Sequence, residues 1–81
     1  MKIEVIMPKW GLTMEEATLV DWLIKQGEKV KKGQVIANVE TDKVVNELEA
    51  PETGTVNQIL VPSGTDEVKV GTVLCIIEKD G

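Results

Sequence analysis

The sequence predicts a small all-β domain made of two similar halves. Val and Ile dominate its apolar residues while Phe and Tyr are absent, and β-branched side chains pack better on a pleated sheet than on a helix. Short apolar runs are separated by Gly and Pro, and the order of these runs repeats within the chain. A chain of 81 residues has room for one sheet packed on another around a small core, with little space for a buried catalytic cavity.

The internal repeat becomes visible when Thr18-Leu19 is aligned with Thr55-Val56, an offset of 37 positions. One extra residue in the following loop of the second half changes the offset to 38. The matched pairs are Leu23 with Leu60, Gly27 with Gly64, Val30-Lys31 with Val68-Lys69, Gly33 with Gly71, Val35 with Val73 and Glu40 with Glu78. Each half therefore contains a strand, a Gly turn, a short Val-Lys strand, a second Gly turn and a further strand. Two such halves suggest two sheets related by a pseudo-two-fold axis.

The first strand is predicted over residues 2–7, where alternate side chains share one face. Its apolar face consists of Ile3, Val5 and Met7. Pro8 ends the strand, because proline cannot donate a hydrogen bond to a ladder. Residues 9–16 are then expected to form a loop.

Residues 18–25 suit either a strand or a helix, since their apolar positions also fit helical spacing. Their repeat partner, residues 55–61, is rich in β-branched residues and stops at Pro62, which favours a strand in both halves. Gly27 and Gly64 are expected to form the turns that follow, because glycine adopts positive φ without a steric penalty.

The sequence Glu40-Thr41-Asp42-Lys43-Val44 lies between two β-like runs, residues 35–39 and 44–48. Its polar step predicts a hairpin turn, which Asp42 would shape by hydrogen-bonding the backbone that follows it. A lysine at a hairpin tip projects its amine into solvent, where a modifying enzyme can distinguish it from the chain's other lysines. A solvated turn lysine without a special role is the alternative. The repeat also predicts that this hairpin and the chain ends lie at opposite ends of the domain.

Composition argues against several classes of function. A formal net charge of −5 opposes binding to nucleic acid, which depends on neutralising phosphates with Lys and Arg. No apolar run of about 18 residues could span a membrane, and Met1-Lys2-Ile3-Glu4 does not resemble a secretory signal. The chain has no histidine, the side chain best suited to acid–base chemistry near neutral pH and a common metal ligand. An independent enzyme is therefore not expected.

The remaining candidates for chemistry also have plain structural interpretations. Cys75 is the only cysteine, so no disulfide can form within the chain and a reducing compartment is expected. Its apolar neighbours predict a small buried residue rather than a nucleophile. The acidic pairs Glu15-Glu16 and Asp66-Glu67 are expected to be solvated loop residues.

The ordered set of motifs resembles the lipoyl domains of 2-oxo acid dehydrogenase complexes over essentially the whole chain, residues 1–81. The matching motifs are Met7-Pro8, Thr13-Met14, Trp22 with Gly27, Val30-Lys31-Lys32-Gly33, Glu40-Thr41-Asp42-Lys43-Val44, Glu49-Ala50-Pro51, Gly54-Thr55-Val56 and Val70-Gly71. The resemblance implies one domain, a flattened β-barrel or sandwich of two four-stranded antiparallel sheets. It also implies lipoate in amide linkage on Lys43, with Thr41, Asp42 and Val44 as the turn residues around it.

The resemblance further implies a carrier with no catalytic residue of its own, in which the cofactor performs the chemistry. In this family a thiamine-diphosphate-dependent decarboxylase reductively acylates the lipoyl group, an acyltransferase core passes the acyl group to coenzyme A, and dihydrolipoamide dehydrogenase reoxidises the dithiol. Tethering makes each encounter effectively intramolecular. Lipoylating enzymes are a fourth kind of partner. The isolated domain is expected to be a monomer from an acyltransferase chain, located in the cytoplasm or the mitochondrial matrix.

Two local features depart from the common family pattern. Lys9-Trp10-Gly11-Leu12 replaces the usual Leu-Ser-Pro and is similar to lipoyl domains of acetoin dehydrogenase complexes. In the family this loop lies near the lipoyl hairpin and contributes to partner recognition. The alternative is that Trp10 and Leu12 only cover the end of the barrel. Ala17 stands where glycine is usual, which questions a turn at that point.

Two alternative functions remain open at this stage. A biotin carrier of a biotin-dependent carboxylase shares the fold, but its lysine usually lies between two methionines, whereas Lys43 lies between Asp42 and Val44. An unmodified β-barrel interaction module is the second alternative. A glycine-cleavage carrier is also lipoylated but is longer, with additional helical segments.

Overall fold

The computed structural model describes residues 1–11, 14–41 and 44–79, which form two four-stranded antiparallel sheets. The strands are β1 (Lys2–Ile6), β2 (Glu16–Trp22), β3 (Lys29–Val30), β4 (Val35–Glu40), β5 (Val45–Glu49), β6 (Gly54–Ile59), β7 (Thr65–Lys69) and β8 (Val73–Lys79). The predicted all-β fold of two sheets is therefore confirmed.

The strand orders of the two sheets confirm the predicted pseudo-two-fold relation. One sheet has the order β1-β8-β6-β3 and the other β5-β4-β2-β7. Each strand thus has a counterpart at the same place in the opposite sheet: β1 with β5, β8 with β4, β6 with β2, and β3 with β7. The sequence repeat identified the last three pairs. The structure adds the first pair, in which Glu4 corresponds to Glu47 and Pro8 to Pro51.

The core lies between the two sheets and is built largely from repeat partners. Leu19 and Val56 are both buried, as are Val30 and Val68. Other buried apolar residues are Val5, Met7, Ala17, Ile24, Ile36, Ala37, Val39, Leu48, Ala50, Leu74, Cys75 and Ile77. Burial of these side chains is the main favourable contribution to folding, and it explains why equivalent positions in the halves are apolar.

Gly27 and Gly64 close the two halves in the same way. Both have positive φ, 91° and 82° respectively, as predicted for these turns. The Gly27 N–H donates to the Val56 carbonyl oxygen at 2.7 Å, and the Gly64 N–H donates to the Leu19 carbonyl oxygen at 2.7 Å. Because each bond joins one half to the main strand of the other, the two repeats stabilise one another.

Residues 18–25 were predicted as a strand by their repeat partner, and they contribute to β2 rather than to a helix. The strand begins two residues earlier, at Glu16, because its edge pairs with β7: Glu16 faces Lys69 and Ala17 faces Val68. Ala17 is therefore a buried strand residue, and the question of a turn at this position does not arise.

Three other details of the sequence prediction were wrong. Glu16, expected to lie in a loop with Glu15, is the first residue of β2 and pairs with Lys69. The first strand ends at Ile6, although Met7 still points into the core as predicted. Asp66 and Glu67 belong to β7 rather than to a loop, since this strand pairs with the edge of β2. The Asp66 carboxylate also accepts a 3.0 Å hydrogen bond from the Thr18 hydroxyl, so this acid helps to hold the two strands together.

Candidate functional site

The hairpin between β4 and β5 carries the residues that flank the candidate lysine. Glu40 pairs with Val45, and beyond this pair the Thr41 N–H donates to the Val44 carbonyl oxygen at 2.9 Å. The Thr41 hydroxyl donates to the same oxygen at 3.2 Å. Two further predicted site residues, Asp42 and Lys43, lie outside the described residues. Thr41 and Val44 therefore form the end of the hairpin in the described part of the chain.

The strand that leads into this hairpin is firmly held in the body of the domain. β4 is an interior strand, paired with β5 on one side and β2 on the other. Its side chains Ile36, Ala37 and Val39 are fully buried. A strand with satisfied backbone on both edges and a buried face opens only with the whole sheet. The hairpin end is thus attached to a strand that is held on both edges.

The side chains at the end of the hairpin face water. Val44 is 56% exposed, Val45 is 58% exposed and Glu40 is exposed, while Thr41 is half-buried. The two valines therefore form an exposed apolar surface at the hairpin end, in the described part of the chain.

The loop after β1 turns back on itself beside β5. The Trp10 N–H donates to Met14 Sδ at 3.3 Å, and the Met14 N–H donates to the Gly11 carbonyl oxygen at 3.1 Å. Met14 packs against the core, whereas Trp10 is 38% exposed. Trp10 therefore keeps a partly exposed side chain, and its role as partner contact or barrel cover stays a prediction. The other loop residue singled out from the sequence, Leu12, lies outside the described residues, as does Thr13.

The corner opposite this hairpin in the pseudo-symmetry is formed by the two ends of the chain. The Lys79 N–H donates to the Met1 carbonyl oxygen at 2.8 Å, the counterpart of the bond from Thr41 to Val44. The two hydrogen bonds occupy equivalent positions in the two sheets, while the expectation that the hairpin and the chain ends lie at opposite ends of the domain stays a prediction. The two corners belong to different sheets, and the pseudo-two-fold axis exchanges them.

Cys75 is fully buried in β8, as the sequence predicted. Burial raises the pKa of its thiol to about 11, so the thiol remains protonated near neutral pH. Because the thiolate is the nucleophilic form, this residue is unsuited to covalent chemistry. Among the described residues no cluster of His, Cys, Asp or Glu is arranged to hold a metal ion. In the same part of the chain, no helix is long and apolar enough to cross a bilayer.

Sequence reasoning missed a groove of ≈ 480 Å³ between β1 and β5. A signal for it exists in the chain. Glu4-Val5-Ile6-Met7-Pro8 and Glu47-Leu48-Glu49-Ala50-Pro51 share the pattern of an acid, an apolar residue, a variable residue, an apolar residue and proline. The pseudo-two-fold axis exchanges these two segments, so they form the two walls of one groove.

Comparison with known proteins gives a family match over almost the whole chain. A family model described as biotin-requiring enzyme, and covering biotin and lipoyl attachment domains, matches residues 3–80. The dihydrolipoyllysine-residue acetyltransferase component of the pyruvate dehydrogenase complex of Rhizobium meliloti is 48% identical over 81 residues. The corresponding protein of Zymomonas mobilis is 43% identical over the same length. In each case all of this chain aligns with 18% of the relative, so the chain spans less than a fifth of their length.

Solved structures agree with this match. The lipoyl domain of the 2-oxoglutarate dehydrogenase complex from Azotobacter vinelandii superposes with a TM-score of 0.73 at 28% identity, covering 96% of this chain and 99% of that one. A single-chain, multi-domain long-chain acyl-CoA carboxylase superposes with a TM-score of 0.76 at 19% identity, covering 98% of this chain and 7% of that one. The second likeness concerns the fold alone.

Proposed function

The chain belongs to the biotin/lipoyl family of biotin-requiring enzymes, and from this membership we propose that it is a lipoyl carrier domain with lipoate in amide linkage on Lys43. The observation that carries the proposal is the hairpin end formed by Thr41 and Val44, which lie on either side of the segment that contains Lys43. The likeness to the lipoyl domain from Azotobacter vinelandii supports lipoate as the group. So does the sequence Asp42-Lys43-Val44, which lacks the methionines typical of biotin carriers.

The domain's own residues supply attachment and presentation. Buried β4 residues hold one side of the hairpin, and the exposed side chains of Val44 and Val45 leave its outer surface open. When bound, lipoate supplies a dithiolane that accepts an acyl group and electrons. The chain's contribution is to carry the attachment segment between two paired strands, β4 and β5. Tethering of the domain within a larger complex makes each encounter effectively intramolecular.

We further propose that the whole protein works in a pyruvate dehydrogenase type of complex. The names of the relatives from Rhizobium meliloti and Zymomonas mobilis support this assignment. The proposed partners are a thiamine-diphosphate-dependent decarboxylase, an acyltransferase core, dihydrolipoamide dehydrogenase and lipoylating enzymes, and the proposed location is the cytoplasm. The acetoin type of complex, suggested by Lys9-Trp10-Gly11-Leu12, is the second candidate.

Mass spectrometry after modification in vitro tests the attachment. The unmodified chain is incubated with a lipoate ligase, lipoate and ATP, and separately with a biotin ligase and biotin. We expect one lipoyl group on the native chain, none on Lys43→Arg, and one on the control Lys32→Arg, which changes a lysine that is exposed in the structure. Circular dichroism checks that each variant is folded. Biotin on Lys43 without lipoate would overturn the proposal, as would lipoylation of the Lys43→Arg variant.

Reductive acylation tests the partner. The lipoylated domain is incubated with purified decarboxylases specific for pyruvate, 2-oxoglutarate, branched-chain 2-oxo acids and acetoin, each with its labelled substrate. We expect the pyruvate enzyme to acylate the domain at least tenfold faster than the others. A preference for the acetoin enzyme would assign the domain to an acetoin dehydrogenase complex instead. Acylation by none of them would contradict the carrier function while leaving the attachment result intact.

A further inference from the structure

The groove between β1 and β5 lies where the edges of the two sheets meet. β1 is hydrogen-bonded to β8 and β5 to β4, so each strand stands at the edge of its own sheet. An edge strand presents backbone N–H and C=O groups that another extended chain can pair with. The pseudo-two-fold axis exchanges the two strands, and the groove therefore straddles it.

The two walls of the groove are equivalent in the pseudo-two-fold symmetry but differ in side-chain chemistry. Glu4 on the β1 wall corresponds to Glu47 on the β5 wall, and both are exposed. At the next outward-facing position, however, Ile6 is 47% exposed on the β1 side, whereas its counterpart Glu49 is an exposed acid. Trp10 adds a partly exposed indole to the groove lining. One wall is thus mainly apolar and the other acidic.

The charge of the groove is strongly one-sided. Its charged lining residues are three carboxylates, Glu4, Glu47 and Glu49. The ion pairs formed within the described residues use other acids, namely Glu16, Glu52 and Glu78. A cation placed in the groove is attracted by all three carboxylates, because they lie around one concave surface. Its binding also relieves the repulsion between the carboxylates. A second copy of a chain with net charge −5 would bring more acids to the same place.

We propose that this groove binds an extended segment of another protein in which Lys or Arg alternates with an apolar residue. Successive side chains of an extended segment point to opposite sides. The apolar side chain would then pack on Ile6 and Trp10 while its basic neighbours face Glu47 and Glu49. This interaction does not use Lys43, so it is separate from the carrier function and could hold a partner while the hairpin end stays free.

The test is titration of the 81-residue chain carrying Lys43→Arg, which excludes modification, with the peptide acetyl-Lys-Leu-Lys-Leu-Lys-amide. Binding is followed by ¹H–¹⁵N NMR, in which the two indole signals are separate reporters. We expect the Trp10 indole and the β1 and β5 amides to shift, while the Trp22 indole stays unchanged. The double variant Glu47→Gln/Glu49→Gln should weaken binding at least fivefold.

The matched control removes the same charge outside the groove. Glu28→Gln/Glu67→Gln changes two exposed acids on other turns and strands and should alter binding less than twofold. Equal losses in the two double variants would mean general attraction to an acidic protein and would overturn the proposal. Equal binding of the acidic peptide acetyl-Glu-Leu-Glu-Leu-Glu-amide would also overturn it. So would dimerisation of the chain without peptide, if the dimer's dissociation constant changed in the Glu47→Gln/Glu49→Gln variant. Since the tested chain lacks Lys43, failure of lipoylation leaves these outcomes unaffected.

Discussion

The backbone N–H and the hydroxyl of Thr41 both donate to the carbonyl oxygen of Val44, at 2.9 and 3.2 Å. The first of these bonds continues the ladder between β4 and β5 by one step. The second is available only to a hydroxyl side chain, and it adds to the closure of the hairpin at the place where the chain leaves the sheet. The proposed attachment residue lies between these two partners in the sequence.

Thr41→Val separates the two bonds, since valine keeps the β-branched shape and the N–H but lacks the hydroxyl. We expect the free energy of unfolding to fall by about 1 kcal/mol or less and the initial lipoylation rate to change less than about threefold. Thr41→Pro, which removes the N–H, should slow lipoylation by more than about tenfold because the end of the ladder opens. Mass spectrometry at early times gives both rates. Loss of all lipoylation in Thr41→Val would instead indicate direct contact of the hydroxyl with the modifying enzyme.

Gly54→Ala is expected to destabilise the sheet of β1, β8, β6 and β3. A Cβ at this position would collide with the carbonyl oxygen of Glu78 and lie 2.8 Å from Ile77 Cγ2. Overpacking against backbone typically costs about 1–3 kcal/mol, which urea unfolding measures. The control is Ala17→Gly at the repeat position in β2, where the expected loss is about 0.5–1 kcal/mol. A loss in Gly54→Ala no larger than that in the control would show that β6 and β8 can move apart freely.

The stability of the domain should decrease between pH 9 and pH 11. The buried Cys75 thiol has a pKa raised from 9.0 to about 11, whereas in the unfolded chain it titrates near its ordinary value. Between these values the unfolded state has released the proton and the folded state has not, so rising pH favours unfolding. The full contribution is about 2–3 kcal/mol, from about 1.4 kcal/mol per pKa unit.

Urea unfolding at several pH values checks this expectation, with Cys75→Ala as the control. The equivalent position in the other half is Ala37, which suggests that β8 tolerates alanine. The variant should lack the decrease in stability that the thiol causes between pH 9 and pH 11. Identical pH dependence in the two proteins would contradict the assignment to Cys75.

Trp22→Phe should cost about 1–2 kcal/mol of unfolding free energy, because the Val61 carbonyl oxygen loses a partly buried hydrogen-bond partner. In the native chain the Trp22 Nε1–H donates to this oxygen at 2.7 Å and so ties the end of β2 to the segment after β6. Trp10→Phe is the matched change at a partly exposed site and should cost less than about 0.5 kcal/mol. Thermal unfolding followed by circular dichroism compares the two. Equal effects would mean that the hydrogen bond contributes little.

The features that sequence reasoning predicted correctly depend on local rules. Gly27 and Gly64 were placed in turns because only glycine adopts positive φ easily, and Leu19 and Val56 were matched because equivalent core positions must both be apolar. The hairpin end at Thr41 followed from a polar step between two apolar runs. The glycine turns and the hairpin follow from a short stretch of sequence, whereas the match of Leu19 with Val56 follows from the internal repeat.

The features that were missed or misplaced depend on pairing between distant segments. Ala17 belongs to a strand because it pairs with Val68 of β7, and Glu67 lies within that same strand β7. The equivalence of Glu4 and Glu47 was overlooked because the surrounding apolar residues differ in type and only the spacing to proline is shared. The resemblance to lipoyl domains identified the fold and the candidate lysine, whereas the groove follows only from the placement of two edge strands.

The hydrogen bond from Lys79 to Met1 has a consequence for engineering. Residues 79 and 1 stand in the same relation as residues 41 and 44, and two residues, Asp80 and Gly81, follow Lys79 in the sequence. A peptide bond from residue 81 to residue 1 would therefore join β8 to β1 by a two-residue link. If the link were Asp-Lys, the ring-closed chain could be reopened at a surface turn such as that at Gly64. Such a circular permutant would offer two lysine-bearing corners related by the domain's own axis, and the ligase's choice between them would measure how much of its recognition lies beyond the turn.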